Sequence, residues 1–185
     1  MNILENEFEN MLEQMINDGS EHIKDLQLKK GYLLRQPALH GYGKMDLVLF
    51  NYNTYFLNGT VNRVKQRDLL VTCIELKKDK IGYNELGQLC RYMQGIERVA
   101  QNDLSNLNIT VRGILIGRDI EHGGDFAYLA DKVAVSDIDI YSYVFDYKTG
   151  LRFEHQNHGG WHSVSEDFGN IPGKEIIINS MRVKY

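Results

Sequence analysis

Residues 69–77 read LLVTCIELK, an apolar run interrupted only by Thr72, Glu75 and Lys77. A segment this short and this continuously apolar predicts a strand buried on both faces, the kind found inside an α/β sheet. Downstream, Leu86, Leu89, Cys90, Met93 and Ile96 recur at helical spacing and predict a helix over 83–99. ITVRGILI at 109–116 reads as a strand and DFAYLADK at 125–132 as a helix. IDIYSYVFDY at 138–147 reads as a strand leading into a hairpin at Lys148-Thr149-Gly150. Upstream, KMDLVLF at 44–50 predicts another strand. It follows breaks at Pro37 and Gly41–Gly43, and an Asn- and Gly-rich turn or hairpin is expected at Asn51–Asn62.

The ends complete the pattern. Leu4, Phe8, Met11, Leu12 and Met15 predict an amphipathic helix over 4–17, stopped by Asn17-Asp18-Gly19. Ile23, Leu26 and Leu28 suit a second short helix within 21–30. The tail reads as strand-rich, with a loop at Gly159-Gly160 and a last strand near 176–183. The order helix, strands, helix, strand, helix, strands predicts an α/β sandwich with a mixed sheet. One domain is expected over 1–147, with a β-rich extension over 148–185 packed on it.

With 185 residues, 43% hydrophobic and 25% charged, the chain has the make-up of a soluble domain with a real core. No apolar run approaches the roughly 20 residues of a bilayer span, and the acidic, amphipathic start MNILENEFENMLEQ is unlike a secretory signal. Cys73 and Cys90 both fall in apolar segments, so core thiols and a reducing cytoplasm are expected. The net charge of −4 argues at first against a nucleic-acid partner, but its distribution does not. Residues 21–98 carry 13 Lys+Arg and 8 Asp+Glu, a local +5, whereas 1–20 carry −5 and 99–185 carry −4. A local basic face can bind phosphate despite acidity elsewhere.

The chemistry-bearing residues cluster between Gly43 and Tyr92. Glu75 and Lys77 are two apart on a strand, so both side chains leave one face. Charges after VTCI suit a strand emerging into a cleft. A carboxylate there can ligate Mg²⁺, and a neighbouring lysine can hold an attacking water or steady charge on a phosphate. Asp46, set among Met45, Leu47, Val48, Leu49 and Phe50, needs a cation or a hydrogen-bond set in that apolar setting. Brought beside Glu75 it would share a divalent metal; otherwise it pairs with a lysine or caps a turn near Gly43. Gln88 and Tyr92 lie four apart on one helix face, where amide and phenol can support phosphate or metal ligands.

In this order and spacing, GYGKMDLVLF, VTCIELKKDK and ELGQLCRYM resemble the PD-(D/E)XK nuclease superfamily. They are most similar to its RecB-like branch and the archaeal NucS-like endonucleases, whose Gln-x-x-x-Tyr helix follows the Glu-x-Lys strand. VRGILIGRD resembles the next strand of NucS-like domains, and LENEFENMLEQMI resembles an opening helix that contributes a further acid. The resemblance spans residues 4–145 or so and leaves the last 40 or so unmatched.

It implies a restriction-endonuclease-like mixed β-sheet flanked by helices, with a site at a sheet edge, and Mg²⁺-dependent hydrolysis of DNA phosphodiesters, Mn²⁺ being an alternative ion. Asp46 and Glu75 would ligate the metal, with the Leu76 carbonyl as third ligand, and Lys77 would position water. Gln88 and Tyr92 would support the site, and Glu9 is preferred over Glu5 as the helix acid. A homodimer would suit cutting both strands of a duplex. The 28 residues between Asp46 and Glu75 hold Arg63, Lys65 and Arg67, which with Lys78 are candidate nucleic-acid contacts. A non-catalytic nucleic-acid-binding protein and a protein-interaction module are the rival readings. His155, His158 and His162, around Trp161, match no trusted metal-ligand spacing and read as a polar loop.

Overall fold

The computed structural model describes residues 5–57, 64–103, 108–121, 126, 137–146, 150–156, 164–165 and 173–181. Helix α1 (Glu5–Asp18) leads through a 3-10 turn (Glu21–Lys24) into strands β1 (Tyr32–Arg35), β2 (Ala38–Leu39), β3 (Gly43–Lys44), β4 (Leu47–Leu57) and β5 (Val64–Leu76). Strand β6 (Lys80–Ile81), helix α2 (Tyr83–Asp103), β7 (Ile109–Gly117) and β8 (Asp119–Ile120) follow. The chain continues with β9 (Ile138–Asp146), β10 (Gly150–His155), β11 (Val164–Ser165) and helix α3 (Lys174–Met181). The central mixed sheet has the order β1-β4-β5-β7-β9-β10, with β11 also pairing β4. β1, β4 and β5 form an antiparallel meander; β5, β7 and β9 are parallel; β10 turns back antiparallel to β9.

Alternation along the strands sorts the core into two layers. Leu47, Leu49, Ile74, Leu76, Ile114 and Ile116 face α1, whose Phe8, Leu12 and Ile16 are buried against them. Each such side chain contributes about 1.5–3 kcal/mol by leaving water. Val48, Phe50, Val71, Cys73, Val111, Leu115, Ile138 and Ile140 face α2. On α2, Leu86, Leu89, Tyr92, Met93 and Ile96 form the buried stripe, and the helix starts cleanly because Glu85 reaches back to accept from the Gly82 amide at 2.9 Å. Gly113 in β7 lets α2 come close: a Cβ there would stand 2.6 Å from the Met93 sulfur.

A buried ion pair fastens the turn after the 3-10 helix to the sheet. Arg112, fully buried, donates through Nε to Asp139 at 2.7 Å and also reaches the carbonyls of Leu26 (3.0 Å) and Gln27 (3.2 Å). A guanidinium's fan of donors suits three acceptors in different directions.

Three expectations change. The strand expected at 44–50 is divided: Gly43–Lys44 pairs with β2 and β4 begins only at Leu47, which leaves Asp46 at a bend. The hairpin expected at Asn51–Asn62, by contrast, forms, with β4 and β5 paired out to Leu57 and Val64 and buried Asn51 donating to the Lys30 carbonyl at 2.9 Å. Residues 176–181 are helical, not a strand. α3 buries Ile177, Ile178 and Met181 against the α2 layer at helical spacing, and this burial overrides the β preference of three successive isoleucines. Cys90 is exposed, because the α2 stripe passes through Tyr92 instead; Cys73 is buried as expected. Of the segment 125–132 only Phe126 is described, and it is buried. After residue 148 the chain supplies β10 and β11 to the same sheet and α3 to its face.

Candidate functional site

β4 and β5 pair with Leu47 opposite Ile74. Asp46 lies at a bend just before that register begins. Glu75 follows Cys73 on the α2 side of β5, and the charges of both Glu75 and Asp46 reach Tyr92 on α2. The Leu76 amide donates to Asp46 Oδ2 at 2.7 Å and locks the two strand ends together.

Glu75 is buried, 1% exposed, and its Oε1 accepts from Lys77 Nζ at 2.7 Å. The Lys77 side chain is 24% exposed and that of Glu75 only 2%, so the pair runs from the surface into the interior. The Lys77 amide donates to the Ile116 carbonyl at 2.8 Å, extending the β5–β7 ladder by one rung and fixing the backbone. These residues sit at the carboxyl ends of two parallel strands, the place where open α/β sheets bind ligands.

Gln88 and Tyr92 close the site from α2. The Tyr92 phenol donates to the Lys44 carbonyl at 2.5 Å, and the Gln88 amide lies 2.5 Å from the same phenol oxygen. Burial raises the Tyr92 pKa first; the Gln88 hydrogen bond opposes that, and the charges of Glu75 and Asp46 add to it. Gly43, at φ +114°, admits the Tyr92 ring: a Cβ there would stand 2.9 Å from the ring edge. Burial, reinforced by Glu97 and Glu75, holds the Cys73 thiol far above its ordinary range, so it is an inert core group.

Glu9 is buried, 2% exposed, and engaged elsewhere. Its Oε2 accepts from Arg35 Nε at 3.1 Å and from Gln36 Nε2 at 2.9 Å. Gln36 links it to Asp46, the Gln36 backbone N–H donating to the Asp46 carbonyl at 2.7 Å. Among the described residues no three His, Cys, Asp or Glu side chains converge as a metal-holding group. The donors left are Asp46 and Glu75 with the Leu76 main chain, an all-oxygen set that suits a hard divalent cation. The Glu5 side chain lies outside the described residues.

The basic candidates separate. Lys78 is exposed beside the site, 3.8 Å from Asp79. Lys65 and Arg67 lie on β5 ten and eight residues before Glu75, about 33 and 26 Å away along the strand. Arg63 lies outside the described residues. His155 sits at the end of β10, its Nε2 3.3 Å from Asp139 and its ring stacked on Tyr141, while His158, Trp161 and His162 are outside the described residues.

Sequence reading passed over Gln36 and Lys44. Lys44 Nζ donates to Gln36 Oε1 at 2.7 Å, so Glu9, Gln36, Lys44, Tyr92 and Gln88 form one hydrogen-bonded line. One signal was present: Gln36 precedes Pro37, which bars it from right-handed helical backbone, and it adopts φ +48°. No family model, curated protein or solved structure matches the chain.

Proposed function

We propose that the chain is a metal-dependent nuclease of the PD-(D/E)XK type, with a restriction-endonuclease-like sheet, that hydrolyses phosphodiester bonds in DNA. The observation that carries this reading is the Asp46 carboxylate held by the Leu76 amide, one residue along from Glu75, with Lys77 on the same strand end. Neighbouring carboxylates repel, and a cation relieves the repulsion. Lys77 supplies one positive charge, and the oxygen donors that remain suit Mg²⁺. A divalent ion bound by Asp46, Glu75 and the Leu76 carbonyl would polarise a phosphoryl oxygen and make its water more acidic.

The chain's own residues do the rest. Lys77 orients the attacking water and steadies negative charge at the phosphate. Tyr92 and Gln88 hold the backbone before Asp46 against α2, which keeps the two acids in register. Hydrolysis adds water across one P–O bond and leaves a phosphate monoester and a hydroxyl. Support also comes from the fold: a mixed sheet with α1 on one face and α2 on the other.

The test is cleavage of a panel of single strands, duplexes, forks and mismatched duplexes by wild type, Glu75→Ala and Glu75→Gln, with Mg²⁺, Mn²⁺ or EDTA. Metal-dependent cutting that both variants lose, while still folded by circular dichroism, is the expected result. Binding without cutting of any substrate overturns the catalytic reading in favour of a non-catalytic nucleic-acid-binding protein. Neither binding nor cutting overturns the nucleic-acid reading altogether.

A further inference from the structure

Of the cations around Asp46, most already face a carboxylate. Arg35 is held by Glu9, with Glu13 at 3.6 Å; Lys77 pairs with Glu75; Lys78 lies near Asp79. Lys44 differs. It is exposed, two residues before Asp46, and among the described residues its ammonium meets a neutral amide oxygen and no carboxylate. An ammonium held by a neutral group keeps its full charge for an external anion.

That amide is itself fixed. The Lys44 ammonium can only donate, so it faces the carbonyl end of Gln36, which turns the NH₂ end toward Glu9. Gln36 also sits in the left-handed region at φ +48°, costly for a residue with a side chain, and such strain collects at functional sites. A surface lysine normally gives up rotamer freedom for little return. Here a buried carboxylate, a strained glutamine and the Tyr92 hydrogen bond to the Lys44 carbonyl all bear on one exposed ammonium.

We infer that Lys44 is a phosphate-binding residue of the site, gripping a backbone phosphate of a nucleic acid, and that Gln36 and Glu9 are the positioning residues that hold it. The assignment rests on the nuclease reading and extends it. It gives Glu9 a positioning role two hydrogen bonds from the ammonium that grips the phosphate.

The test is equilibrium binding of a labelled oligonucleotide, single-stranded and duplex, in EDTA over a salt series. It compares wild type, Lys44→Gln, Lys44→Arg and Gln36→Leu, with thermal unfolding as the folding control. Lys44→Gln should weaken binding about tenfold and lower the slope of log affinity against log salt by about one. Lys44→Arg should restore both. Gln36→Leu should weaken binding less than Lys44→Gln, because the ammonium remains but is no longer held. A wild type that binds and cuts while Lys44→Gln keeps the full salt slope overturns this inference and leaves the nuclease reading standing. A Gln36→Leu variant that binds like wild type overturns the positioning role. A wild type that neither binds nor cuts overturns both readings.

Discussion

The Tyr92 phenol and the Lys44 carbonyl lie 2.5 Å apart although 48 residues separate them in the chain. This contact ties the helix after the Glu75 strand to the backbone that leads into Asp46. Tyr92→Phe keeps the ring and removes the bond, so the fold should lose about 1–2 kcal/mol. Cleavage should fall further than stability does, because the hold of Asp46 against the Leu76 amide loosens. Urea unfolding and cleavage rates on the same preparations separate the two effects.

The same phenol predicts a pH dependence. Burial, with Glu75 and Asp46 nearby, raises its pKa above the ordinary 10.0. The folded state then binds the proton more tightly than the unfolded state. Its contribution is complete below pH 10 and is lost as pH rises through the raised value. Tyr143 is raised too, also chiefly by burial. Stability should fall steeply above pH 10, and less steeply in Tyr92→Phe; denaturant midpoints across that range decide it.

Gly43→Ala should cost about 2 kcal/mol or more, because φ +114° is strained for alanine and the new methyl meets the Tyr92 ring. Gly87→Ala is the contrast. It lies in α2, where a Cβ meets nothing within 4 Å, and should stabilise by about 0.5–1 kcal/mol. Opposite shifts in the denaturation midpoint are the expected result.

The two cysteines should titrate separately with a disulfide reagent. Exposed Cys90 should react in the folded protein, and buried Cys73 only after unfolding. One equivalent followed by a second in denaturant is the pattern to look for.

Arg112→Met should destabilise by about 3–5 kcal/mol, because it leaves the Asp139 carboxylate buried without its charge partner. Removing both charges, with Arg112→Met and Asp139→Leu together, should cost less than the single change. Arg112→Lys should not rescue, since one ammonium cannot serve Asp139 and the carbonyls of Leu26 and Gln27 together. Thermal unfolding of the three variants ranks them.

Much of this architecture is legible in residue order alone. LLVTCIELK is continuously apolar because α1 covers one face of β5 and α2 the other, so period-2 alternation disappears. Asp46 stood out because an acid amid Leu47, Val48, Leu49 and Phe50 requires a stated partner, and the Leu76 amide is one. The Ile176–Ile178 run misled because local β preference competes with a tertiary surface that only the folded sheet provides. Gln36 and Lys44 were passed over for a different reason. Their importance lies in one amide orientation and one backbone carbonyl, and neither is a property of residue type. Lys65 and Arg67 stand close to Glu75 in sequence, and the extended β5 sets their backbone toward its other end.

The order of strands across the sheet, β1-β4-β5-β7-β9-β10, is also their order in the chain. Each of these strands is laid beside one already made, so no strand of this path waits for a later one and folding can advance in the direction of synthesis. The acids at Asp46 and Glu75 meet in the second step of that growth, long before β9 and β10 widen the sheet. Among the described strands of this sheet β11 breaks the sequence, returning to β4 where the process began, and that return must wait until Val164 and Ser165 have been made.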